Sequence, residues 1–193
     1  MISIQKIFLG VILGSLIMIF AATRLLSPSE IVSASPEKNI EIPSNINLSS
    51  NETTYFCTIS SRYPVEIQQW CELIIKNAET YSIEPNLIAA VMLQESGGNK
   101  NAYSNSGAVG LMQIMPKDGI AENFMCINGP CFSNRPTMEE LFNPEFNIEY
   151  GSRMLNNLYG KYGNWRDTLR AYGPMDVGYQ YADIVLSIFE NYQ

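Results

Sequence analysis

The sequence predicts a mainly α-helical domain, and three observations support that prediction. Apolar residues beyond Pro64 recur at helical spacing, no stretch alternates well enough to be a convincing strand, and Pro85 and Gly97-Gly98 stand where a helix would begin and end. A chain of 193 residues, 46% hydrophobic and 16% charged, suits one globular domain. We therefore expect about five or six helices around one core in residues 55–193.

Ahead of that domain, we expect an apolar segment and a linker. Ile7 to Ala22 contains no charged residue and follows Lys6, which is typical of a signal peptide or a slightly short membrane anchor. We assign residues 1–26 to this segment and favour a retained anchor, because Phe20 stands where a cleavage site needs a small residue. Residues 27–54, rich in Ser, Pro, Asn and Glu, are predicted to be a flexible linker. Either alternative implies export.

Within the domain, two apolar stripes predict the first and last helices. The first is made of Ile67, Trp70, Ile74, Ala78 and Tyr81, and the last of Val177, Tyr181, Ile184, Val185 and Ile188. Between them, we expect helices at Leu87–Glu95, after Pro85, and at Pro144–Leu158. Looser structure is expected at 99–110 and 123–137.

The absence of histidine limits the chemistry that the chain can perform. It excludes the Ser-His-Asp and Cys-His nucleophile systems and the usual histidine-bearing zinc sites, so catalysis must rest largely on carboxylates. The charges of residues 1–64 balance, so the net charge of −7 belongs to the folded part. An acidic domain lacks the basic surface that nucleic-acid binding needs. We expect no cofactor, no metal and no nucleic acid.

Four cysteines in an exported chain favour two disulfides over free thiols or a zinc site. Three pairings are possible on paper. The Gly-Pro turn between Cys126 and Cys131 favours a bond between those two, which leaves Cys57 with Cys71.

Glu95 is the strongest candidate for a catalytic residue. Ile88, Val91 and Met92 lie seven, four and three positions before it, which places its carboxyl group on the apolar face of a helix. Partial desolvation disfavours the charged form, so the pKa should rise toward the value that a general acid needs near neutral pH. The alternative is a glutamate at a helix C-terminus that bonds to nearby backbone groups.

The motifs around Glu95 resemble those of the soluble lytic transglycosylases. The matching segments are Glu95-Ser96-Gly-Gly-Asn, Gly107-Ala-Val-Gly-Leu-Met-Gln-Ile-Met115-Pro, Asn147-Ile-Glu-Tyr-Gly151 and Ala171-Tyr172-Gly173. The resemblance covers nearly all of residues 65–190. It implies a lysozyme-like, goose-type helical fold and cleavage of peptidoglycan glycan strands, and with export it implies a protein that faces the cell wall.

Carried over residue by residue, the resemblance implies Glu95 as the single catalytic acid and base. Gln113 and Met115 would flank its carboxyl group and the sugar, although Met115 could be ordinary core. Ser104 would contact the saccharide's acetamido or peptide-bearing side, or be a mere loop hydroxyl. Tyr172 would hydrogen-bond near Glu95.

One departure from the family pattern lies just after Tyr172. The family usually shows Ala-Tyr-Asn-x-Gly, whereas Gly173-Pro174 follows here, which puts any polar contact of the missing Asn in doubt. Tyr181 is a further candidate to face the cleft.

A single carboxyl group implies a reaction that the substrate assists. Ordinary glycosidases need two carboxyl groups, and residues 96–117 contain none. The resemblance implies cleavage of the MurNAc-GlcNAc β-1,4 bond to leave 1,6-anhydromuramic ends. The alternatives are a goose-type lysozyme hydrolase, which would need Asp118, Glu122 or another later carboxylate to position water, and an inactive peptidoglycan-binding component. The biological role stays open between routine wall turnover, opening the wall for a secretion or conjugation apparatus, and phage entry. A small, single tethered domain mildly favours an enzyme that opens the wall locally.

Overall fold

A computed structural model describes residues 56–174 and 176–193 as a helical assembly. Its helices are α1 Val65–Gln68, α2 Cys71–Tyr81, α3 Pro85–Ser96, α4 Met138–Leu141, α5 Pro144–Tyr162, α6 Trp165–Tyr172 and α7 Gln180–Tyr192. A 3₁₀ helix, Gly119–Asn123, and a hairpin of two-residue strands, β1 Met125–Cys126 and β2 Gly129–Pro130, lie between α3 and α4. The predicted helical class is confirmed.

Helix α3 is the centre of the core. All residues from Leu87 to Met92 are buried and apolar, so this part of the helix has no polar face. Glu84 caps its N-terminus by accepting a hydrogen bond from the Leu87 N–H at 2.9 Å, and Pro85 occupies the first turn. Gly97 ends the helix in a left-handed conformation at φ 61°, as the sequence indicated.

The first apolar stripe belongs to the core, whereas the last does so only in part, and neither stripe lies within one helix. The first stripe is divided between α1 and α2, because the chain breaks at Trp70, whose φ and ψ are −98° and 7°. In the last stripe, Val177 precedes α7 and Ile184 is 40% exposed, while Val185 is buried. Helix α5 extends four residues beyond the predicted Leu158, to Tyr162. The sequence analysis did not assign α6 as a separate helix.

The two regions predicted to be looser contain no α-helix, and both are ordered by local contacts. Residues 99–110 carry short β-bridges rather than regular strands. In the second region, β1 pairs with β2. The disulfides join Cys57 to Cys71 and Cys126 to Cys131, which confirms the pairing that the Gly-Pro turn favoured.

The predicted apolar segment, 1–26, and linker, 27–54, lie outside the described residues. Among the helices of the described part, none is long and apolar enough to cross a membrane.

Candidate active site

Glu95 lies in the last turn of α3, and its side chain is half-buried. Desolvation raises the pKa of its carboxyl group from 4.5 to about 7, and a hydrogen bond from Tyr181 opposes part of that rise. Burial destabilises the anion, whereas a phenol hydroxyl that donates to the carboxylate stabilises it. The carboxyl group is thus an acid that can both hold and release a proton near neutral pH.

Tyr181 is the direct partner of Glu95. It lies in the first turn of α7, is 7% exposed, and its Oη donates a hydrogen bond of 2.5 Å to Glu95 Oε1. Desolvation first, and the charge of Glu95 second, raise the pKa of Tyr181 well above its ordinary value, so the phenol stays a donor. Tyr172, which was expected to hydrogen-bond near Glu95, donates to the Met112 carbonyl and lies within electrostatic range of Glu95, while the direct bond to the carboxyl group comes from Tyr181.

No second carboxyl group among the described residues acts on the pKa of Glu95. Asp118 is engaged elsewhere, because its Oδ1 accepts a hydrogen bond of 2.7 Å from the Met138 N–H at the start of α4. Glu122 is exposed in the 3₁₀ helix. The site therefore presents one carboxyl group rather than a pair.

A folded loop, residues 102–114, packs against the end of α3 and carries the Gly-Leu-Met-Gln motif; we call it the motif loop. Val109 and Ile114 exchange backbone hydrogen bonds of 2.9 and 3.0 Å, and the Gly110 N–H donates to the Ala102 carbonyl at 2.8 Å. Gln113 lies at its turn with φ 45°, a strained conformation for a residue with a side chain. Such strain persists only where the surroundings hold the backbone firmly.

Three side chains, each from a different helix, hold the motif loop at Leu111 and Met112. From α3, Ser96 Oγ donates to the Leu111 carbonyl at 2.8 Å. From α5, Asn147 Oδ1 accepts from the Met112 N–H at 2.7 Å. From α6, Tyr172 Oη donates to the Met112 carbonyl at 2.8 Å. Since all three helices belong to the core, the loop is placed relative to Glu95 by the fold itself.

Two glycines permit this close packing. A Cβ on Gly110 would lie 2.4 Å from Asn147 Nδ2, and one on Gly151 would lie 2.7 Å from Met112 Cβ. Both distances are far below ordinary contact, so the loop could not reach α5 if either residue carried a side chain.

The remaining predicted site residues occupy the motif loop and its continuation. Gln113 Nε2 donates to the carbonyls of Gly110 at 3.0 Å and Ala102 at 3.3 Å, while its Oε1 accepts none of the hydrogen bonds of the described residues. Met115 is half-buried and is not among the side chains packed on the core. Ser104 Oγ accepts from the Ala108 N–H at 2.9 Å, a local turn bond that leaves its own proton free to donate.

Sequence reasoning missed two residues that build the site. Asn147 is fully buried, and its Nδ2 also donates to the Val109 and Leu141 carbonyls at 2.9 Å each. Both Ser96 and Asn147 belong to motifs that were noted in the sequence, but neither residue was assigned a role. A polar residue on the buried face of α5 was the available signal for Asn147, because such a group needs partners. In the described part of the chain, no cluster of three or more acidic, cysteine or histidine side chains could hold a metal.

Fold and site together define a helical, lysozyme-like domain that centres on one buried carboxyl group. Residues 72–177 match the family model described as "Transglycosylase SLT domain". Because the match spans more than half of the chain, the chain belongs to this family, and the resemblance noted in its sequence is confirmed.

Two known proteins illustrate the relationship. The chain is 35% identical over 96 residues to membrane-bound lytic murein transglycosylase E of Buchnera aphidicola subsp. Acyrthosiphon pisum (strain APS), which covers 50% of this chain and 42% of that relative. The chain therefore spans less than half the length of that relative. An X-ray structure of an inactive mutant of the lytic transglycosylase Slt from Pseudomonas aeruginosa matches with a TM-score of 0.50 and 22% identity, over 68% of this chain and 24% of that one. This second match shows the fold alone.

Proposed function

We propose that this protein is a peptidoglycan lytic transglycosylase that cleaves the MurNAc-GlcNAc β-1,4 bond and leaves 1,6-anhydromuramic acid ends. The observation that carries the proposal is the isolated carboxyl group of Glu95, whose pKa burial raises to about 7, in a domain of the SLT family. The names of both relatives, lytic transglycosylases, support it.

In the proposed reaction Glu95 acts twice. Its protonated carboxyl group donates a proton to the glycosidic oxygen as the bond to the anomeric carbon breaks, while the carbonyl oxygen of the sugar's own N-acetyl group attacks that carbon. The resulting carboxylate then takes the proton of the C6 hydroxyl, whose oxygen displaces the acetamido oxygen. No water enters, and no second carboxyl group is required.

The neighbouring residues take binding and positioning roles in this proposal. Tyr181 stabilises the carboxylate that forms after the first step. Gln113 Oε1, left without a partner among the described residues, accepts a hydrogen bond from the sugar, and Met115 packs against the ring. Ser104 donates to the acetamido or peptide-bearing side, and Tyr172 holds the motif loop in place.

We also propose that residues 55–193 form the catalytic domain, tethered by residues 27–54 to an anchor in residues 1–26. The uncharged run from Ile7 to Ala22 supports the anchor, and the curated relative is itself named membrane-bound. In this arrangement the domain faces the cell wall. Fractionation of cells that express the chain should recover it from membranes, and recovery of a shorter, soluble form would favour a cleaved signal.

Mass spectrometry of muropeptides tests the reaction. Purified full-length protein in detergent should release anhydro products from peptidoglycan, and Glu95→Gln should release fewer by about two to four orders of magnitude. Glu190→Gln, an exposed carboxyl group on α7, is the matched control and should act like the wild type. Products one water heavier would mean a goose-type hydrolase. Binding without any product would mean an inactive peptidoglycan-binding component.

A further inference from the structure

Gly173, at the end of α6, lies directly against the ring of Tyr181. A Cβ built on Gly173 would lie 2.4 Å from both Cγ and Cδ1 of that ring and 3.0 Å from its Cβ. Ordinary van der Waals contacts of a Cβ fall at 3.4–4 Å, so a methyl group here would displace the ring or the backbone.

The backbone of Gly173 does not itself require glycine. Its φ and ψ are −74° and −173°, an extended conformation open to any residue. Its N–H donates to the Leu169 carbonyl at 3.0 Å and so closes α6, which any residue except proline could do. The three atoms nearest to a Cβ at this position all belong to Tyr181, so the need for a bare Cα comes from this close approach of the tyrosine.

The start of α7 is also joined to α6 by side-chain contacts. Tyr179 Oη donates to Asp167 Oδ1 at 2.5 Å, which ties the residue before α7 to the first turn of α6. The guanidinium of Arg166 lies over the Tyr179 ring, 4.1 Å from its centroid, and also pairs with Asp183 of α7 at 2.7 Å. These contacts join α6 to α7 in addition to the contact between Gly173 and Tyr181.

We propose that Gly173 is a positioning residue for Glu95. By leaving space for the ring of Tyr181, it lets the phenol hydroxyl reach the carboxyl group and stabilise its anionic form. Gly173 stands where the family pattern usually has Asn, so in this chain the position carries no side chain that would meet the tyrosine.

The titratable groups that face Glu95 come from α6 and α7. Tyr181 donates directly to the carboxyl group, and Tyr172 lies within electrostatic range of it. Arg135, from the loop before α4, acts on Tyr172. Among the described residues, only Tyr181 lowers the pKa of Glu95, so loss of its hydrogen bond has one expected direction, an increase.

NMR titration of the Glu95 carboxyl carbon in the full-length protein tests the proposal, with the signal assigned by its loss in Glu95→Gln. Tyr181→Phe should raise the pKa above its wild-type value, by about 1 for a charge-assisted hydrogen bond. Gly173→Ala should produce a similar increase, and the double variant should add nothing further. Gly160→Ala, at an exposed α5 glycine with open space around its Cα, should keep the wild-type value. An unchanged pKa in Gly173→Ala beside an increase in Tyr181→Phe would overturn the proposal.

Thermal unfolding provides a second test, which requires neither activity nor an NMR titration of Glu95. Gly173→Ala should lower the melting temperature when residue 181 is tyrosine and should have little effect in a Tyr181→Ala background, where the ring is gone. An equal decrease in both backgrounds would contradict the proposal.

The inference rests on the proposed function only for its catalytic meaning. If the protein releases anhydro products, the alkaline limb of the kcat/KM profile should move to higher pH in Gly173→Ala and Tyr181→Phe. If it releases none, the proposed function fails, while the NMR titration still decides whether Gly173 positions Tyr181.

Discussion

The motif loop and the Cys126–Cys131 hairpin are held by opposite means. Residues 111 and 112 of the loop are fixed by Ser96, Asn147 and Tyr172, which reach in from three core helices. The hairpin is closed by its own disulfide and leaves Ile127 fully exposed. Hydrogen bonds from three core helices fix the loop relative to the rest of the fold, whereas the disulfide only closes a short segment on itself. The proposed chemistry lies beside the first kind of loop.

The largest effect should come from Asn147→Ala. The substitution removes three hydrogen bonds and leaves the Met112 N–H and the Leu141 carbonyl without these partners, while the Val109 carbonyl keeps its bond from the Ile114 N–H. At about 1–3 kcal/mol for each orphaned group, we expect a loss of about 4 kcal/mol in the free energy of unfolding. Chemical denaturation measures it, with exposed Asn157→Ala on the same helix as the control. A loss below about 1 kcal/mol would show that the motif loop is held by other contacts.

The next effect concerns the buried carboxyl group beside that loop. The folded-state pKa of Glu95 is raised to about 7, so the native protein binds the proton more tightly than the unfolded chain. The stability from the protonated group is therefore complete below about pH 4.5 and is lost as pH rises through about 7. Between these limits, wild type should lose about 3 kcal/mol relative to Glu95→Gln. Unfolding measured at several pH values, with Glu190→Gln as control, checks this; parallel curves for wild type and Glu95→Gln would refute it.

Ser96→Ala should have a smaller effect, because it removes one of the three attachments. The Leu111 carbonyl loses its donor, and we expect a decrease of about 2 kcal/mol in unfolding free energy together with lower activity on peptidoglycan. The exposed Ser106, in the same loop, provides the control as Ser106→Ala. Equal unfolding free energies and activities of the two variants would show that Ser96 does not help to hold the motif loop.

The smallest effect on activity should come from opening the hairpin with Cys126→Ser and Cys131→Ser together. The disulfide closes a separation of only 5 residues, so chain entropy gives it at most about 2 kcal/mol. Because the hairpin contributes no residue to the site as described, kcat/KM should stay within about twofold of wild type. A larger decrease would make the hairpin part of the substrate cleft and weaken the contrast between the two segments.

The sequence predicted the parts of this molecule that depend on local pattern. Pro85, Gly97 and the apolar run between them located α3, and Glu95 on its buried face identified the candidate acid. Local pattern did not locate the break at Trp70, where the indole N–H donates to the carbonyl of the distant Gly98 at 2.9 Å.

Contacts between distant segments could not be read from pattern. Tyr181 was predicted only as a further residue facing the cleft, because its bond to Glu95 joins residues 86 positions apart and, in our proposal, needs the space left at Gly173. Asn147 bonds to the motif loop across 35 positions. Hydrophobic periodicity identifies the buried face of a helix, but it does not specify which polar group on another helix that face will meet.

A chain without histidine has placed a carboxyl group in the titration range that imidazole usually occupies. The two groups differ in the charge of the protonated form: an imidazole becomes a cation when it takes up a proton, whereas the Glu95 carboxyl group becomes neutral. In its acid form Glu95 therefore adds no charge to a domain that is already strongly anionic, so in the proposed reaction it would not repel a negatively charged substrate. The negative charge arises only after the proton has been given away, when the attacking hydroxyl needs a base.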